Sequence, residues 1–477
     1  MNALIAQHDT NQALLAALDI FYDQLNQLES EALVIPALFL KYASDMAKDN
    51  PAMFAIPAQA SFDELYLMRH EAGNDKRLSH ALKAIVAANK EILSEGQLVI
   101  FKHSHFKPEG PHDATQLNLC FGLLLEHFSQ PALTFSPAHP HRASLALQHL
   151  LTQIAVNNRY KKRREHTPPA IADLLVDLLA PAAGERLCDP ACGAGSVLMS
   201  FIARGGTDNP IYGQAEDYES WSRAKLTTVL SGHSHQHIEF GNLISRPLLL
   251  DEQGQLLRFD VIASCPQLAQ HFWQHGTANN DPYLRFERGI PPETRGNYAY
   301  VLHMVETMAS DTGRMAVVMP HGVLFRGSSE AKIRQALIED NLLEAVIGLP
   351  SKLLYDTAIE TTILVFNRNK TDNQVLFIDA SHDFHKTKAL HLLTKAQIER
   401  IGSTHRLRQS VERYARLVPF DEVESKDFNL NISLYVDVAD TEEEKDIGQL
   451  MQEQAALKAE LAALDIQMAS YRQELGY

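Results

Sequence analysis

The stretch that most constrains this chain is Arg186-Leu187-Cys188-Asp189-Pro190-Ala191-Cys192-Gly193-Ala194-Gly195-Ser196-Val197-Leu198. It reads as a short buried strand, a tight glycine turn and the start of a helix, the form of a cofactor-binding corner. Gly193 and Gly195 are expected to let the backbone pass close under a ligand, where a Cβ would collide. Asp189 closes the strand and offers a carboxylate beside that gap. The pattern is neither the spaced G-x-G-x-x-G of dinucleotide enzymes nor a phosphate loop. From the corner onward, short apolar runs alternate with helix-length segments: 186–189, 211–214, 237–241, 259–263, 314–320, 342–349 and 361–367. That alternation predicts an α/β fold, a mostly parallel sheet covered by helices, with its ligand crevice at the carboxyl ends of the strands. Asp189, Gln214, Gly241 and Ala263 should converge there.

Ahead of the corner, residues 1–155 read mainly as helices, with apolar residues at helical spacing around Leu14–Phe21 and Leu38–Tyr42. Between the two parts lies Arg159-Tyr160-Lys161-Lys162-Arg163-Arg164, five basic residues in six. Such a run suits phosphate contact or a solvated surface turn. The whole chain carries a net charge of −16, so DNA contact must come from a local patch of this kind or from a partner. From residue 441, Ile447, Gln454, Leu461, Met468 and Leu475 repeat every seven, with Leu450, Leu457, Leu464 and Tyr471 between them. This is a coiled-coil seam that must be covered, by a partner helix or by packing back on its own domain. Three domains follow: 1–155, 156–440 and 441–477. The four cysteines form no C-x-x-C pair, so no metal site or disulfide framework is expected. Residues 1–7 lack a signal-peptide pattern, and the apolar run 32–40 is too short for a membrane span, which points to the cytoplasm.

The string Asp189-Pro190-Ala191-Cys192-Gly193-x-Gly195 resembles the S-adenosylmethionine (SAM) loop of amino-group DNA methyltransferases, above all the modification (M) subunits of type I restriction-modification systems. The likeness extends to Phe39-Leu40-Lys41-Tyr42-x-Ser44-Asp45, Arg285-Phe286-x-x-Gly289-x-Pro291-Pro292, 313–327, 345–350 and 428–435. It implies a Rossmann-like SAM-methyltransferase domain, an N-terminal helical domain and a C-terminal coiled-coil helix. The implied cofactor residues are Thr167, Pro168, Asp189, Pro190, Ala191, Cys192, Gly193, Gly195, Ala215, Glu216 and Asn242. Implied partners are double-stranded DNA and a specificity subunit bound through 441–477; the basic residues Arg159, Lys161, Lys162, Arg163 and Arg164 are the candidate DNA contacts on composition. A second copy and a restriction subunit belong to the same picture.

Departures from the family pattern cluster at the chemistry. N6-adenine methyltransferases carry Asn-Pro-Pro-Phe/Tyr after the fourth strand. The Asn amide and a prolyl carbonyl hold the flipped adenine amine, and the ring stacks on the base. Here the catalytic positions read Ser264, Cys265, Pro266 and Gln267. Gln267 forgoes a stacking face, worth roughly 1–3 kcal/mol on aromatic platforms. Ala215 stands where a Glu holds the SAM ribose, with Glu216 one place later. Asn242 replaces Asp, Ser196 replaces a glycine, and His166 stands where an aromatic precedes Thr167-Pro168. The resemblance therefore implies a methyltransferase homologue that clamps DNA within a complex, with methyl transfer weak or lost. An active enzyme in which Ser264 and the Cys265 carbonyl hold the amine is an alternative, as is a SAM-sensing or structural partner of a defence complex.

Overall fold

A computed structural model describes residues 2–21, 25, 27–93, 114–157, 166–205, 209–233, 236–267, 273–355, 357–387, 390–437 and 447–474. The basic run 159–164 lies outside the described residues. Met1–Val436 forms one compact unit and Asp437–Tyr477 a second.

The first part of the larger unit is helical, as the spacing requires: α1 (Asn2–Asp19), α2 (Gln27–Asp49), α3 (Phe62–Leu67), α4 (Asn74–Ala88), α5 (Ala114–Phe128) and α6 (Arg142–Asn157). Helix α2 runs through Pro36. Burial of its apolar residues 33–40 sustains it there, although proline removes one ladder bond. Helix α4 stops at Asn89, whose amide donates to the carbonyls of Ile85 (2.7 Å) and Ala55 (2.8 Å).

The second part carries α7 (Pro169–Leu179), β1 (Leu187–Asp189), α8 (Ser196–Gly205), β2 (Ile211–Ala215), α9 (Tyr218–Leu230), β3 (Gln236–Phe240), β4 (Val261–Ser264), α10 (Asn297–Thr307), β5 (Arg314–Pro320), α11 (Ser329–Glu339), β6 (Leu343–Gly348), β7 (Thr361–Asn367), β8 (Gln374–Asp379), α12 (Lys395–Leu407) and β9 (Ala415–Pro419). The strands form one sheet in the order β9-β8-β6-β7-β5-β4-β1-β2-β3. β1, β4 and β6 are buried at every position, which is why they read as unbroken apolar runs rather than alternation.

Two features depart from the expected sheet. β7 lies antiparallel between β5 and β6, because a short apolar run carries no information about direction. β8 and β9 extend the sheet beyond the seven expected strands. The run Val375–Ile378 signals the first of them, whereas Ala-Arg-Leu-Val-Pro of the second has too little apolar content to stand out.

The helical part and the sheet share a core. Leu33, Leu38, Phe121 and Leu147 belong to the same apolar cluster as Leu226, Val229 and Leu230 of α9. A buried ion pair, Arg223 to Glu31 at 2.8 Å, joins α9 to α2.

On the other face, the buried guanidinium of Arg285 fixes the wall of the crevice. It donates to Asp281 (2.6 Å), to the carbonyls of Leu243 (3.2 Å) and Ile244 (2.8 Å), and to Nδ1 of His303 (3.2 Å). Burial, helped by the adjacent guanidinium, keeps His303 neutral by lowering its pKa well below the usual value, so it can accept.

Arg285→Met should therefore strand the buried Asp281 carboxylate and lower stability by about 3–5 kcal/mol. Arg416→Met, which breaks a half-exposed pair with Glu422, should cost under about 1 kcal/mol. Urea midpoints of the two variants test the contrast.

Candidate cofactor and catalytic crevice

The crevice opens at the carboxyl ends of β1, β2, β3 and β4. At its floor the glycine corner is held by Cys192 N–H to the Gln214 carbonyl (3.0 Å) and Gly195 N–H to the Cys192 carbonyl (2.8 Å). Gly193 (φ 48°) and Gly195 (φ 89°) are both left-handed, so both need glycine. Their tasks differ. Gly193 lines the crevice with Pro190 and Ala191. Gly195 instead faces α9, where an added Cβ would stand 3.1 Å from the Ala224 Cα. Gly195 thus permits close helix packing on α9, a task the sequence alone does not show. Cys192 is buried behind the corner against Gly213.

Among the other expected residues, Thr167, Ala215, Glu216, Cys265 and Gln267 line the crevice. Pro168 and Pro266 are buried, Pro168 opening α7. Sequence reasoning left out Asp217, Leu243 and Tyr300, which also line it. Asp217 and Tyr300 adjoin motifs that were readable, Glu216 and Asn297–Ala299; nothing marks Leu243. Gln214 was placed only as a strand end. Its side chain in fact bonds the carbonyls of Gly241 and Arg246 and the N–H of Leu248, at 2.9–3.0 Å, tying β2 to the turn after β3.

The positions that depart from the family pattern bond to their neighbours. The Ser264 hydroxyl, buried at the end of β4, donates to Asp189 Oδ1 at 2.7 Å. The same oxygen accepts from Ala191 N–H at 3.1 Å. Burial raises the Asp189 pKa to about 7, against the lowering effect of these two bonds. Asn242 donates its amide to Glu216 Oε1 at 2.6 Å, while its oxygen caps the N–H groups of Ile244 and Ser245. Both ends of that amide are therefore engaged. His166 lies between Thr152 of α6 (3.0 Å) and Ser196 at the start of α8 (3.1 Å), stacked on Tyr355. Burial lowers its pKa to about 4, with Arg223 adding to the effect, so the ring is neutral. Two departures that looked separate in sequence, His166 and Ser196, are thus partners.

Cys265 sits beside the Thr167 hydroxyl, and burial pushes its thiol up to about 12. It stays protonated at neutral pH and is a poor nucleophile. Burial likewise raises the Tyr300 hydroxyl, with Glu216 adding to the shift, so the phenol keeps its proton.

A SAM molecule needs its ribose diol gripped, its adenine edge read and room for both. Ala215 has no polar group for the diol, and Asn242 is bonded to Glu216. At the two positions the motif implies, Ala215 and Asn242, the grips on the diol and the adenine edge are therefore missing or engaged elsewhere, while Glu216 and Asp217 line the crevice beside Ala215.

The architecture matches a type I restriction-modification methyltransferase subunit from Streptococcus thermophilus, with a TM-score of 0.81 over 91% of this chain and all of that one, at 22% identity. A sheet of this topology with a glycine corner at its crevice is that of a SAM-dependent methyltransferase. The chain belongs to the N-6 DNA methylase family, whose model matches residues 144–444. It is 28% identical over 410 residues to the type I restriction enzyme MjaVIII methylase subunit of Methanocaldococcus jannaschii, covering 82% of this chain and 68% of that one. It is also 28% identical over 364 residues to the HindI methylase subunit of Haemophilus influenzae, covering 71% of this chain and 80% of the relative. No described helix is long and apolar enough to cross a membrane.

Two measurements probe this site. An unfolded Asp ionises near about 4, whereas folded Asp189 does so near about 7. Between those values the folded state binds the extra proton, so native stability falls as pH rises. Asp189→Asn keeps both hydrogen bonds and lacks the titration. Its stability relative to the parent should improve by roughly 2–4 kcal/mol from about pH 4.5 to about pH 8, read from denaturant midpoints. For the second, His166→Phe and Ser196→Ala should each cost about 1 kcal/mol. A double-mutant cycle should return a coupling above about 0.5 kcal/mol; simple additivity would show that the pair does not interact.

Proposed function

We propose that this chain is the DNA-clamping component of a multi-subunit complex built on the plan of a type I modification subunit, with methyl transfer weak or lost. The observation that carries this reading is the Ser264–Asp189 bond. Methylating adenine N6 requires two acceptors on the amine, so that its lone pair aims at the methyl donor. The serine hydroxyl is held on Asp189 at the buried end of β4 and is not among the residues that line the crevice, so its oxygen is withdrawn from a base in that crevice. Gln267, at the rim, gives a flipped base no ring to stack on. The Glu216–Asn242 bond and Ala215 similarly favour weak SAM binding over a tight cofactor site.

What remains is the scaffold. The basic run Arg159–Arg164, which precedes Thr167 in the sequence, supplies the phosphate contacts; four of its cations are Lys161, Lys162, Arg163 and Arg164. In the smaller unit, the helix α13 (Ile447–Glu474) displays Leu457, Leu461, Leu464, Met468 and Tyr471, each more than half exposed. That stripe is the seam for a helix of a specificity-type subunit. The domain division 1–155, 156–440 and 441–477 and a cytoplasmic location belong to the same proposal.

The test uses the full chain assembled with its specificity-type partner. Tritiated SAM should leave adenine unlabelled or labelled only slowly while the complex retains duplex DNA; stoichiometric labelling of the target adenine would sink the reading. Neutralising Lys161, Lys162, Arg163 and Arg164 should weaken DNA retention and flatten its salt dependence. Ala215→Glu should tighten SAM binding about tenfold in calorimetry, roughly 1.4 kcal/mol.

A further inference from the structure

A second cavity, about 480 Å³, lies at the amino ends of β1 and β4, away from the glycine corner at their carboxyl ends. Arg186 immediately precedes β1, and Arg258 stands three residues before β4. The hairpin 249–257, closed by Leu257 N–H to the Leu249 carbonyl at 3.0 Å, forms one wall. Tyr283 and Glu306 complete it.

The lining holds two acids and two arginines, but their commitments are unequal. Asp251 accepts from the N–H groups of Gln253 (2.9 Å) and Gln255 (2.8 Å) within its own turn. Glu306 is paired with Arg288 at 2.6 Å. Each carboxylate thus has one oxygen engaged by these donors, Oδ1 of Asp251 and Oε1 of Glu306. The Arg186 guanidinium, by contrast, makes no ion pair or hydrogen bond with a described residue, and Arg258 makes one bond, to the Met308 carbonyl at 3.1 Å. The Tyr283 hydroxyl also has no described hydrogen-bond partner. Two guanidinium forks and a phenol therefore face one concave space with most of their donors unused. Guanidinium groups match phosphate oxygens in pairs, and the cavity is within the size range of small-molecule sites.

We infer that this cavity binds a small phosphate-bearing ligand, a nucleoside phosphate or a free polyphosphate. The tyrosine ring and the side chains of Leu256 and Leu257 give a nucleoside an apolar surface, and the recess behind the hairpin favours a small molecule over duplex DNA. The inference does not depend on whether methyl transfer survives.

Calorimetry on the full chain at low salt tests it, with pyrophosphate and uridine diphosphate as probes and adenosine as a competitor for the other crevice. One saturable site is expected, weakened about fivefold by Arg186→Gln or Arg258→Gln and about twentyfold by the double variant, with the melting temperature unchanged. Tighter binding of uridine diphosphate would assign the nucleoside source, and equal affinities the free polyphosphate. No saturation by about 5 mM, binding unaltered in the double variant, or displacement by adenosine would overturn the assignment. So would a double variant that loses DNA retention while neither probe binds the parent chain.

Discussion

A carboxylate at the bottom of a crevice, with almost no access to water, is the constraint from which the rest of this site follows. Asp189 ends β1 where the chain must turn under the corner, and its burial disfavours the ionised form. It needs donors. One comes from the backbone of its own turn, at Ala191. The other must come from the adjacent strand, because β4 is hydrogen-bonded directly to β1. Whatever side chain ends β4 is therefore drawn into the electrostatics of Asp189. Here that side chain is a short hydroxyl, bonded to the carboxylate and not among the residues that line the crevice.

The other altered positions follow the same rule. A buried polar group left without a partner costs about 1–3 kcal/mol, so a substitution that removes a ligand contact persists when a neighbour takes up the freed group. Asn242 takes Glu216, and His166 takes Ser196. The groups at the altered positions Ser264, Asn242, His166 and Ser196 are thus bonded to protein neighbours. Around the crevice, Arg285, Gln214 and the shared core of α9 hold the walls.

Much of this was legible in the sequence because it rests on local chemistry. The glycine corner, the apolar runs of β1 and β4 and the altered string 264–267 each announce themselves within a few residues. The direction of β7 was not legible, since an apolar run reads the same both ways. Nor was the task of Gly195, because Ala224 lies 29 positions further along the chain. Tyr300 reaches the crevice from α10, and only the packing of that helix on the sheet brings it there.

The order of residues by itself determined the class of fold, the location of the crevice and the identity of the changed side chains, because strand period, glycine geometry and residue type are properties of short segments. Only the tertiary structure decided who bonds whom. Ser264 and Asp189 are 75 positions apart, and their contact exists because parallel pairing of β1 and β4 sets the register that brings two strand ends together. Hydrogen bonds act over about 3 Å, so the function of each polar group here is set by its neighbour in space.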